Sequence, residues 1–279
     1  KYFLKMNKPV PTDLEYIARR IRGELVKISN KANTPHLGSS LSCVDILVAA
    51  YWSVLNINPK KPADPTRDRL IFSKGHAATA LYLVLNMRGF FPDDILKTYA
   101  KPGGILPEHP VYKSAPGIEV TSGSLGHGLS LGLGMALAAK INKNNYRVYV
   151  LMSDGECNEG SVWEAAMLAP AHNLDNLVAV VDFNSWQATG RSQEVTSISP
   201  LKDKFEAFGW SSFDVDGHDI NALEGVLEKV PNSSGRPVAV IAHTVKGKGI
   251  SFMEDDNNWH YRIPNDKEVK AALMELGLP

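Results

Sequence analysis

The chain has little cysteine, no excess of charge of either sign and no long apolar run. Its two cysteines, Cys43 and Cys157, are too few for a disulfide framework and predict a protein of the reducing cytoplasm. The 30 Lys and Arg residues balance 30 Asp and Glu residues, so charge indicates no nucleic-acid partner. The longest apolar run is far below the ~20 residues that span a bilayer, and the start lacks a basic-then-apolar signal pattern. We therefore expect a cytoplasmic protein without a nucleic-acid or membrane partner.

Short β-rich segments alternate with helical segments along the chain. Strands are predicted at 69–72, 148–152, 177–181 and 238–242, each nearly continuous in Val, Ile and Leu, as in strands buried on both faces. This alternation predicts an α/β fold with a mostly parallel sheet and helices on both faces. The length of 279 residues suits one such domain, residues 1–279, with a C-terminal extension.

The helical segments and two long loops complete the predicted organisation. Helices are predicted at 12–30, 42–54, 77–87, 130–141, from about 161 and at 266–276. Segments 98–125, rich in Pro and Gly, and 246–264, rich in polar residues, are predicted to be functional loops.

Polar residues follow every predicted strand, at the end where ligands bind to parallel sheets. These residues are SKGH at 73–76, SDGE at 153–156, DFN at 182–184 and HTVKGKG at 243–249. Because the carboxyl ends of parallel strands lie at the same edge of a sheet, we expect the four segments to converge on one crevice.

Asp154 and Asn184 are the strongest candidates for a metal site in that crevice. Mg²⁺ prefers oxygen ligands and commonly bridges one or two protein groups to phosphates. Asp-Gly and Asn-Ser are also common turn formers, so either corner alone would indicate an ordinary turn. The two together, at the ends of successive strands, favour a magnesium–diphosphate site instead.

The tract TSGSLGHG at 121–128 precedes a helix rich in small residues and resembles a phosphate-binding loop. It lacks the Lys-Ser/Thr ending of a P-loop, and it is not a GxGxxG motif after a strand. On glycine content alone, a tightly packed turn is an equally good interpretation.

Five of the eight histidines lie in loops or loop–helix junctions. They are His36, His76, His109, His127 and His260. A lone histidine is more often a surface or core residue, but this clustering favours a polar active site with proton transfer. No HxxxH or Cys/His spacing supports a zinc site.

These motifs resemble the N-terminal, thiamine diphosphate-binding domain of transketolase, and especially the N-terminal subunit of a split, two-chain transketolase. The GDG…N signature of thiamine diphosphate enzymes corresponds to Ser153-Asp154-Gly155 with Asn184. Other matching motifs are NKANTPHLG at 30–38, SKGH at 73–76, GIEVTSGSLG at 117–126, EG at 159–160 and NWH at 258–260. The sequence departs from the family pattern at Ser153, His127, Phe183 and Trp186.

The resemblance implies roles for individual residues. Asp154, Asn184 and the main-chain carbonyl of Trp186 would bind Mg²⁺, or Ca²⁺ or Mn²⁺ in its place. The implied catalytic residues are His36, His76, His109 and His260, of which His109 would hold the hydroxyl end of the donor. The implied cofactor contacts are Ser39, His76, Gly123, Leu125, Asp154, Gly155, Glu156, Glu159, Asp182, Asn184, Lys246 and His260. Glu159 would lie at a subunit interface beneath the cofactor.

The implied reaction is ketol transfer, in which a two-carbon unit moves from a ketose donor to an aldose acceptor. The family's pyrimidine-binding domain has no counterpart here, so the resemblance implies a second, C-terminal transketolase subunit in an α2β2 assembly. An alternative is transfer of the two-carbon unit to a carrier protein or another unusual acceptor. A 2-oxo acid dehydrogenase component fits the four histidines less well, and a non-catalytic paralogue fits the intact Asp154 and Asn184 less well.

Overall fold

The structure is a computed structural model that describes residues 13–231 and 234–279. The predicted helix start at residue 12 and the expected lack of a signal pattern lie outside the described residues. The strands are β1 (Arg69–Phe72), β2 (Val148–Ser153), β3 (Leu177–Phe183), β4 (Ser211–Asp216) and β5 (Val238–His243). The helices are α1 (Leu14–Ala32), α2 (Leu37–Ser42), α3 (Val44–Ala49), α4 (Ala78–Arg88), α5 (Asp93–Leu96), α6 (His127–Ile141), α7 (Gly160–Ala171), α8 (Ser192–Val195), α9 (Leu201–Ala207), α10 (Ile220–Leu227) and α11 (Asp266–Glu275). Shorter helical turns occupy Ala50–Val54, Gly75–Ala77, Asp154–Asn158 and Asn257–His260.

The strands form a parallel sheet in the order β1-β2-β3-β5-β4. The register pairs Ser153 at the end of β2 with Asp182 on β3, and Phe183 at the end of β3 with His243 on β5. The carboxyl ends of these three strands therefore lie side by side, where ligands bind in such sheets. The predicted α/β fold with a mostly parallel sheet is confirmed.

Alternate strand residues face two separate apolar layers, so helices cover both faces of the sheet. On one face, Tyr149 and Val180 pack in a core with residues of α1, α3 and α4. On the other face, Val150 and Val181 pack with residues of α6, α7 and α9. A strand between two such layers needs an apolar residue at every position, which explains the continuous Val, Ile and Leu runs.

The sequence analysis missed β4, which lies at the edge of the sheet beside β5. Only two residues of this strand, SSFDVD, are buried, and both of its aspartates are exposed. Because β4 is only half covered, it lacks the continuous apolar run by which the other strands, including the edge strand β1, are predicted.

Two predicted helices have the wrong bounds. The helix predicted at 42–54 is preceded by helical residues from Leu37 onward, and Cys43 separates α2 from α3. The predicted helix 130–141 begins at His127, directly after Gly126, whose φ of 80° lies in the left-handed region that favours glycine.

The two long loops are ordered by side-chain contacts. No helix or strand occurs between α5 and α6, where the Tyr82 hydroxyl donates to the Pro107 carbonyl at 3.0 Å. The second loop, 246–264, contains one helical turn and the fully buried Trp259. In the part of the chain that the structure describes, no helix is long and apolar enough to cross a membrane.

Candidate cofactor site

Asp154 and Asn184 occupy equivalent positions at the carboxyl ends of neighbouring strands. Asp154 directly follows β2, and Asn184 directly follows β3. Both are buried, with 0% and 4% of their surface exposed. The Asp154 carboxylate accepts hydrogen bonds from the Ser192 hydroxyl at 2.7 Å and from the Gly155 N–H at 2.9 Å. Both donors are neutral, and burial raises the pKa of Asp154 to about 6. A buried carboxylate whose hydrogen-bond donors are all neutral favours binding of a cation.

The chain after Asn184 turns tightly and is tied to the second loop. The Asn184 side-chain oxygen accepts the Trp186 main-chain N–H at 3.1 Å. The Trp186 indole donates a hydrogen bond to Asp255 at 2.8 Å. The Arg191 guanidinium stacks on the Trp186 ring, 3.8 Å from its centre, and also forms an ion pair with Asp255 at 2.7 Å. Trp186, whose carbonyl is the predicted third metal ligand, is therefore held by both its main-chain N–H and its side chain.

The chemistry of this donor set fits a hard divalent cation. One carboxylate, one side-chain amide and one main-chain carbonyl supply oxygen ligands, which Mg²⁺, Ca²⁺ and Mn²⁺ prefer. Within residues 13–231 and 234–279, no three His, Cys, Asp or Glu side chains are grouped to hold a metal. A metal at this site would thus take its remaining ligands from the diphosphate and water, as Mg²⁺ commonly does.

A buried ion pair lies beside the Asn184 corner. Lys74 and Asp182 have fully buried side chains, and the Lys74 ammonium donates to the Asp182 carboxylate and, at 2.8 Å, to the Ser39 carbonyl. The Ser42 hydroxyl at 2.6 Å and the Thr244 hydroxyl also donate to Asp182. One charged centre therefore joins the ends of β1, β3 and β5 to α2. Ser39, a predicted cofactor contact, supplies its carbonyl to this centre.

Glu156 is a second buried carboxylate, and protein donors engage both of its oxygens. It accepts the Ser153 and Gly126 N–H groups, each at 3.0 Å, and the Ser73 hydroxyl. These bonds join the corners after β1 and β2 to the glycine tract before α6. The predicted contribution of Glu156 to cofactor binding would therefore act through the position of that tract.

The glycine tract packs closely on neighbouring site residues. Gly123 has a φ of 138°, and a Cβ there would lie 3.1 Å from His109. A Cβ on Gly126 would lie 2.5 Å from the Cβ of Glu159, which is exposed and precedes α7. Leu125, between these glycines, is 37% exposed. Leu125 and Glu159 therefore present side chains outward next to the tract.

The four predicted catalytic histidines meet in space, although they come from four separate segments. The centre of the His36 ring lies 5.4 Å from His76, 5.1 Å from His260 and 6.5 Å from His109. His76 and His260 are stacked at 5.8 Å. His127 is exposed at the start of α6, where its ring contacts the Leu125 carbonyl at 3.2 Å.

Burial keeps three of these rings neutral at physiological pH. It lowers the pKa of His36 to about 4 and, with the nearby Lys246 ammonium, that of His260 to about 3. Burial also lowers the pKa of His76 well below its ordinary value. A neutral imidazole has one N–H donor and one acceptor nitrogen, so it can both donate a hydrogen bond to a hydroxyl group and accept one from it.

Lys246 lies in contact with His260 and is buried. Its ammonium donates to the Asn257 side-chain oxygen at 2.7 Å and to Nδ1 of His260 at 3.1 Å. Burial lowers the pKa of Lys246 to about 8. The main-chain N–H of His36 donates to the His260 carbonyl at 2.8 Å, and His36 has a φ of 68°.

Sequence analysis missed several residues that build this site. Ser192 and Asn257 are ordinary polar residues, and nothing in their spacing marks them. Thr244 lies in the strand-end segment noted above, but it was not singled out there. Lys74 lies in a motif noted above, but its complete burial depends on the packing of α2. Tyr261 had a signal, because it follows His260; its ring is 64% exposed and lies 4.6 Å from His260.

Several known proteins are similar to this chain. Residues 15–279 match the family model described as "Transketolase, thiamine diphosphate binding domain". The chain is 41% identical to one subunit of the apulose-4-phosphate transketolase of Phocaeicola vulgatus over 263 residues, which cover 94% of this chain and 93% of the relative. It is 39% identical to the SqwG subunit of a 6-deoxy-6-sulfo-D-fructose transketolase of a Clostridium species, over 95% of this chain and 96% of the relative.

Solved structures show the same fold. Transketolase from Campylobacter jejuni superposes with a TM-score of 0.89 at 31% identity and covers 95% of this chain. Transketolase from Leishmania mexicana gives a TM-score of 0.89 at 25% identity over 96% of this chain. The chain spans less than half of these two structures, 43% and 42% of their lengths.

A parallel sheet whose strand ends carry a buried Asp/Asn corner pair and a histidine cluster defines a diphosphate-cofactor domain. The chain belongs to the transketolase family, in its thiamine diphosphate-binding domain. It is a subunit of the transketolase class of transferases.

The position of Gly75 gives a first test of the cofactor site. A Cβ there would lie 2.7 Å from the Gly123 nitrogen and 2.9 Å from the Ser122 carbonyl carbon. Gly75→Ala is expected to displace the glycine tract and weaken thiamine diphosphate binding about tenfold, since overpacking costs on the order of 1–3 kcal/mol. Calorimetric titration in the presence of Mg²⁺ measures the effect. Gly160→Ala is the control, because nothing lies within 4 Å of a Cβ there. Equal affinities of the two variants would contradict the expectation.

Proposed function

We propose that this chain is the diphosphate-domain subunit of a two-subunit transketolase that transfers a two-carbon ketol unit from a ketose to an aldose. The observation that carries the proposal is the convergence of His36, His76, His109 and His260 at the sheet edge that holds Asp154 and Asn184. In this proposal residues 1–279 form one domain, with 98–125 and 246–264 as its functional loops.

Asp154, Asn184 and the Trp186 carbonyl would hold Mg²⁺, and through it the diphosphate of the cofactor. Ca²⁺ or Mn²⁺ could replace Mg²⁺, because all three accept oxygen ligands. Gly155 and Gly123 leave room for close approach of the cofactor, because neither has a Cβ. Bound thiamine diphosphate would supply the electron sink for cleavage and formation of the C–C bond.

The histidines would bind the substrate and move its protons. The neutral rings of His36, His76 and His260 can each donate one hydrogen bond and accept another, which suits the hydroxyl groups of a sugar. His109 is exposed at the edge of the cluster, where it can contact the hydroxyl end of a donor. A histidine that accepts a proton from a hydroxyl can return it later in the same turnover.

The partner in this proposal is a C-terminal subunit with a pyrimidine-binding domain, in an α2β2 assembly in the cytoplasm. Two kinds of observation support it. The relatives that match over nearly their whole length are named as transketolase subunits. Helix α7, which directly follows the exposed Glu159, and its neighbour α6 expose large apolar side chains: Leu131, Ile141, Met167 and Leu168. Exposed apolar side chains on two neighbouring helices favour a protein interface.

The names of the relatives favour a donor sugar with an anionic group. Apulose 4-phosphate and 6-deoxy-6-sulfofructose, named in those relatives, are ketoses with a phosphate or sulfonate. The rings of His36, His76 and His260 are neutral and supply no charge to that group, so we assign its binding to the partner subunit. Transfer to a carrier protein or another unusual acceptor is the second candidate, because the exposed ring of Tyr261 beside His260 offers a contact surface for a bulky acceptor.

Reconstitution of the two-subunit enzyme tests the proposal. The chain alone, with thiamine diphosphate and Mg²⁺, is expected to show no ketol transfer, and addition of a pyrimidine-domain subunit is expected to restore it. Full activity of the chain alone would refute the two-subunit proposal. Failure to bind thiamine diphosphate calorimetrically, with or without the partner, would indicate a non-catalytic paralogue.

A further inference from the structure

A buried charged cluster lies outside the cofactor site. Arg22 on α1 and Asp45 on α3 are 6% and 5% exposed, and the guanidinium binds the carboxylate through two hydrogen bonds of 3.0 and 2.6 Å. His218, in the turn after β4, contacts the same carboxylate through Nδ1 at 2.7 Å. Burial alone would raise the pKa of Asp45, but the hydrogen bond from His218 and the charge of Arg22 hold it below its ordinary value.

Arg22 and His218 each make a further hydrogen bond, and both of these bonds go to one loop. The Val245 N–H donates to Nε2 of His218 at 2.8 Å, and Nε of Arg22 donates to the Lys248 carbonyl at 3.0 Å. Because Nε2 of His218 accepts a hydrogen bond, the proton of its neutral ring is on Nδ1 and is donated to Asp45. Arg22 and His218 therefore bind the main chain on both sides of Lys246.

We propose that Asp45, Arg22 and His218 form a positioning cluster that fixes the main chain around Lys246 and so holds its ammonium against Nδ1 of His260. The inference rests on the proposed function, in which His260 moves substrate protons. Since the ammonium donates to Nδ1, the neutral His260 ring carries its own proton on Nε2. The cluster thus determines which nitrogen of His260 is a donor, although none of its three residues touches that ring.

Stability alone is a weak reason for such a cluster. Ions that leave water lose hydration, and well-packed apolar residues often replace a buried ion pair without loss of stability. Two further bonds hold the loop, from the Gly247 N–H to the Gly38 carbonyl at 3.0 Å and from the Asp255 N–H to the Lys246 carbonyl at 2.8 Å. Of these four contacts, only the two that the cluster makes involve side chains.

Two substitutions at His218 separate the two bonds of its ring. Asn can place an amide N–H where Nδ1 lies, so His218→Asn keeps the bond to Asp45 and loses the bond to Val245. Gln can place its oxygen where Nε2 lies, so His218→Gln keeps the bond to Val245. We expect the position of Lys246 to change in His218→Asn and to persist in His218→Gln.

The experiment is NMR spectroscopy of the full chain labelled with ¹⁵N in its histidine rings, with His260 assigned by a His260→Gln variant. The Lys246→Met variant gives the reference ¹⁵N chemical shift of His260 Nδ1 in the absence of the ammonium. His218→Asn is expected to move this resonance most of the way to that value, and His218→Gln to leave it near wild type. Arg22→Lys, which keeps a cation but cannot reproduce both bonds of Arg22, is expected to act like His218→Asn and serves if that variant does not fold.

Two results would overturn the inference. One is an unchanged His260 resonance in a folded His218→Asn or Arg22→Lys variant. The other is an equal shift in His218→Gln, which would place the coupling in general packing. The spectra need neither substrate nor partner, so this result is independent of whether ketol transfer is the reaction. In the reconstituted enzyme, His218→Asn is further expected to lower kcat about tenfold at unchanged KM, since misplacement costs transition-state contacts more than substrate binding.

Discussion

Replacement of Asp154 by Asn is expected to weaken binding of thiamine diphosphate with Mg²⁺ at least about 100-fold, since removal of even an indirect metal partner costs 10- to 100-fold. The carboxylate is the one charged group in the proposed ligand set, beside two neutral oxygens from Asn184 and Trp186. Without it, the positive charge of Mg²⁺ is neutralised only by the diphosphate.

The same substitution is expected to leave the unloaded chain folded and at least as stable. Burial raises the pKa of Asp154 to about 6, so the ionised carboxylate is unfavourable in the chain without a cation. An amide of the same shape removes this buried charge and still accepts the Gly155 N–H. Loss of affinity together with an unchanged or higher melting temperature would locate the effect in metal binding.

Isothermal titration calorimetry and thermal melting of the same samples test both expectations. The matched control is Asp203→Asn, because Asp203 is exposed on α9. This variant should bind the cofactor as wild type does. An Asp154→Asn chain that binds thiamine diphosphate with wild-type affinity would show that Asp154 is not a metal ligand.

The buried strands could be predicted because the composition that each one requires lies within a short stretch of sequence. A strand buried on both faces must be apolar at every position, so 69–72, 148–152, 177–181 and 238–242 stand out, and each falls within a strand of the structure. The edge strand β4 escapes this criterion because half-covered residues tolerate Ser and Asp. The break at Cys43 between α2 and α3 likewise has no local signal.

Of the site residues, only those that belong to short sequence motifs could be predicted. Asp154 and Asn184 follow two strands that pair with each other, and that adjacency follows from the order of the chain. The contacts of Lys74 could not be predicted, since they join residues 32 to 108 positions away in sequence. The same holds for Asp45 and His218, which are 173 positions apart.

Lys74→Met is expected to destabilise the chain by about 3–5 kcal/mol, the usual effect of leaving one member of a buried ion pair without its partner. Lys74 and Asp182 have no exposed side-chain surface. Burial alone would lower the pKa of Lys74, and the Asp182 carboxylate raises it above its ordinary value. Without the ammonium, Asp182 would keep hydrogen bonds from the hydroxyls of Ser42 and Thr244 but no opposite charge.

This loss should lower the melting temperature by roughly 10 °C, at about 2–4 °C per kcal/mol for a chain of this size. Lys97→Met is the matched control, because Lys97 pairs with Asp94 at the surface, where both side chains are mostly exposed. Exposed pairs contribute little, so its melting temperature should not change. Equal melting of Lys74→Met and wild type would refute a role for the buried pair in stability.

The double variant Lys74→Met/Asp182→Asn distinguishes the lost charge from lost packing. If the penalty comes from the unpaired carboxylate, a neutral amide at position 182 should recover a large part of the stability, which a double-mutant cycle measures as coupling. No recovery would mean that Met cannot fill the space of Lys74. Because Lys74 also binds the Ser39 carbonyl of α2, the recovered double variant should still bind thiamine diphosphate more weakly than wild type, since α2 carries His36 at its start.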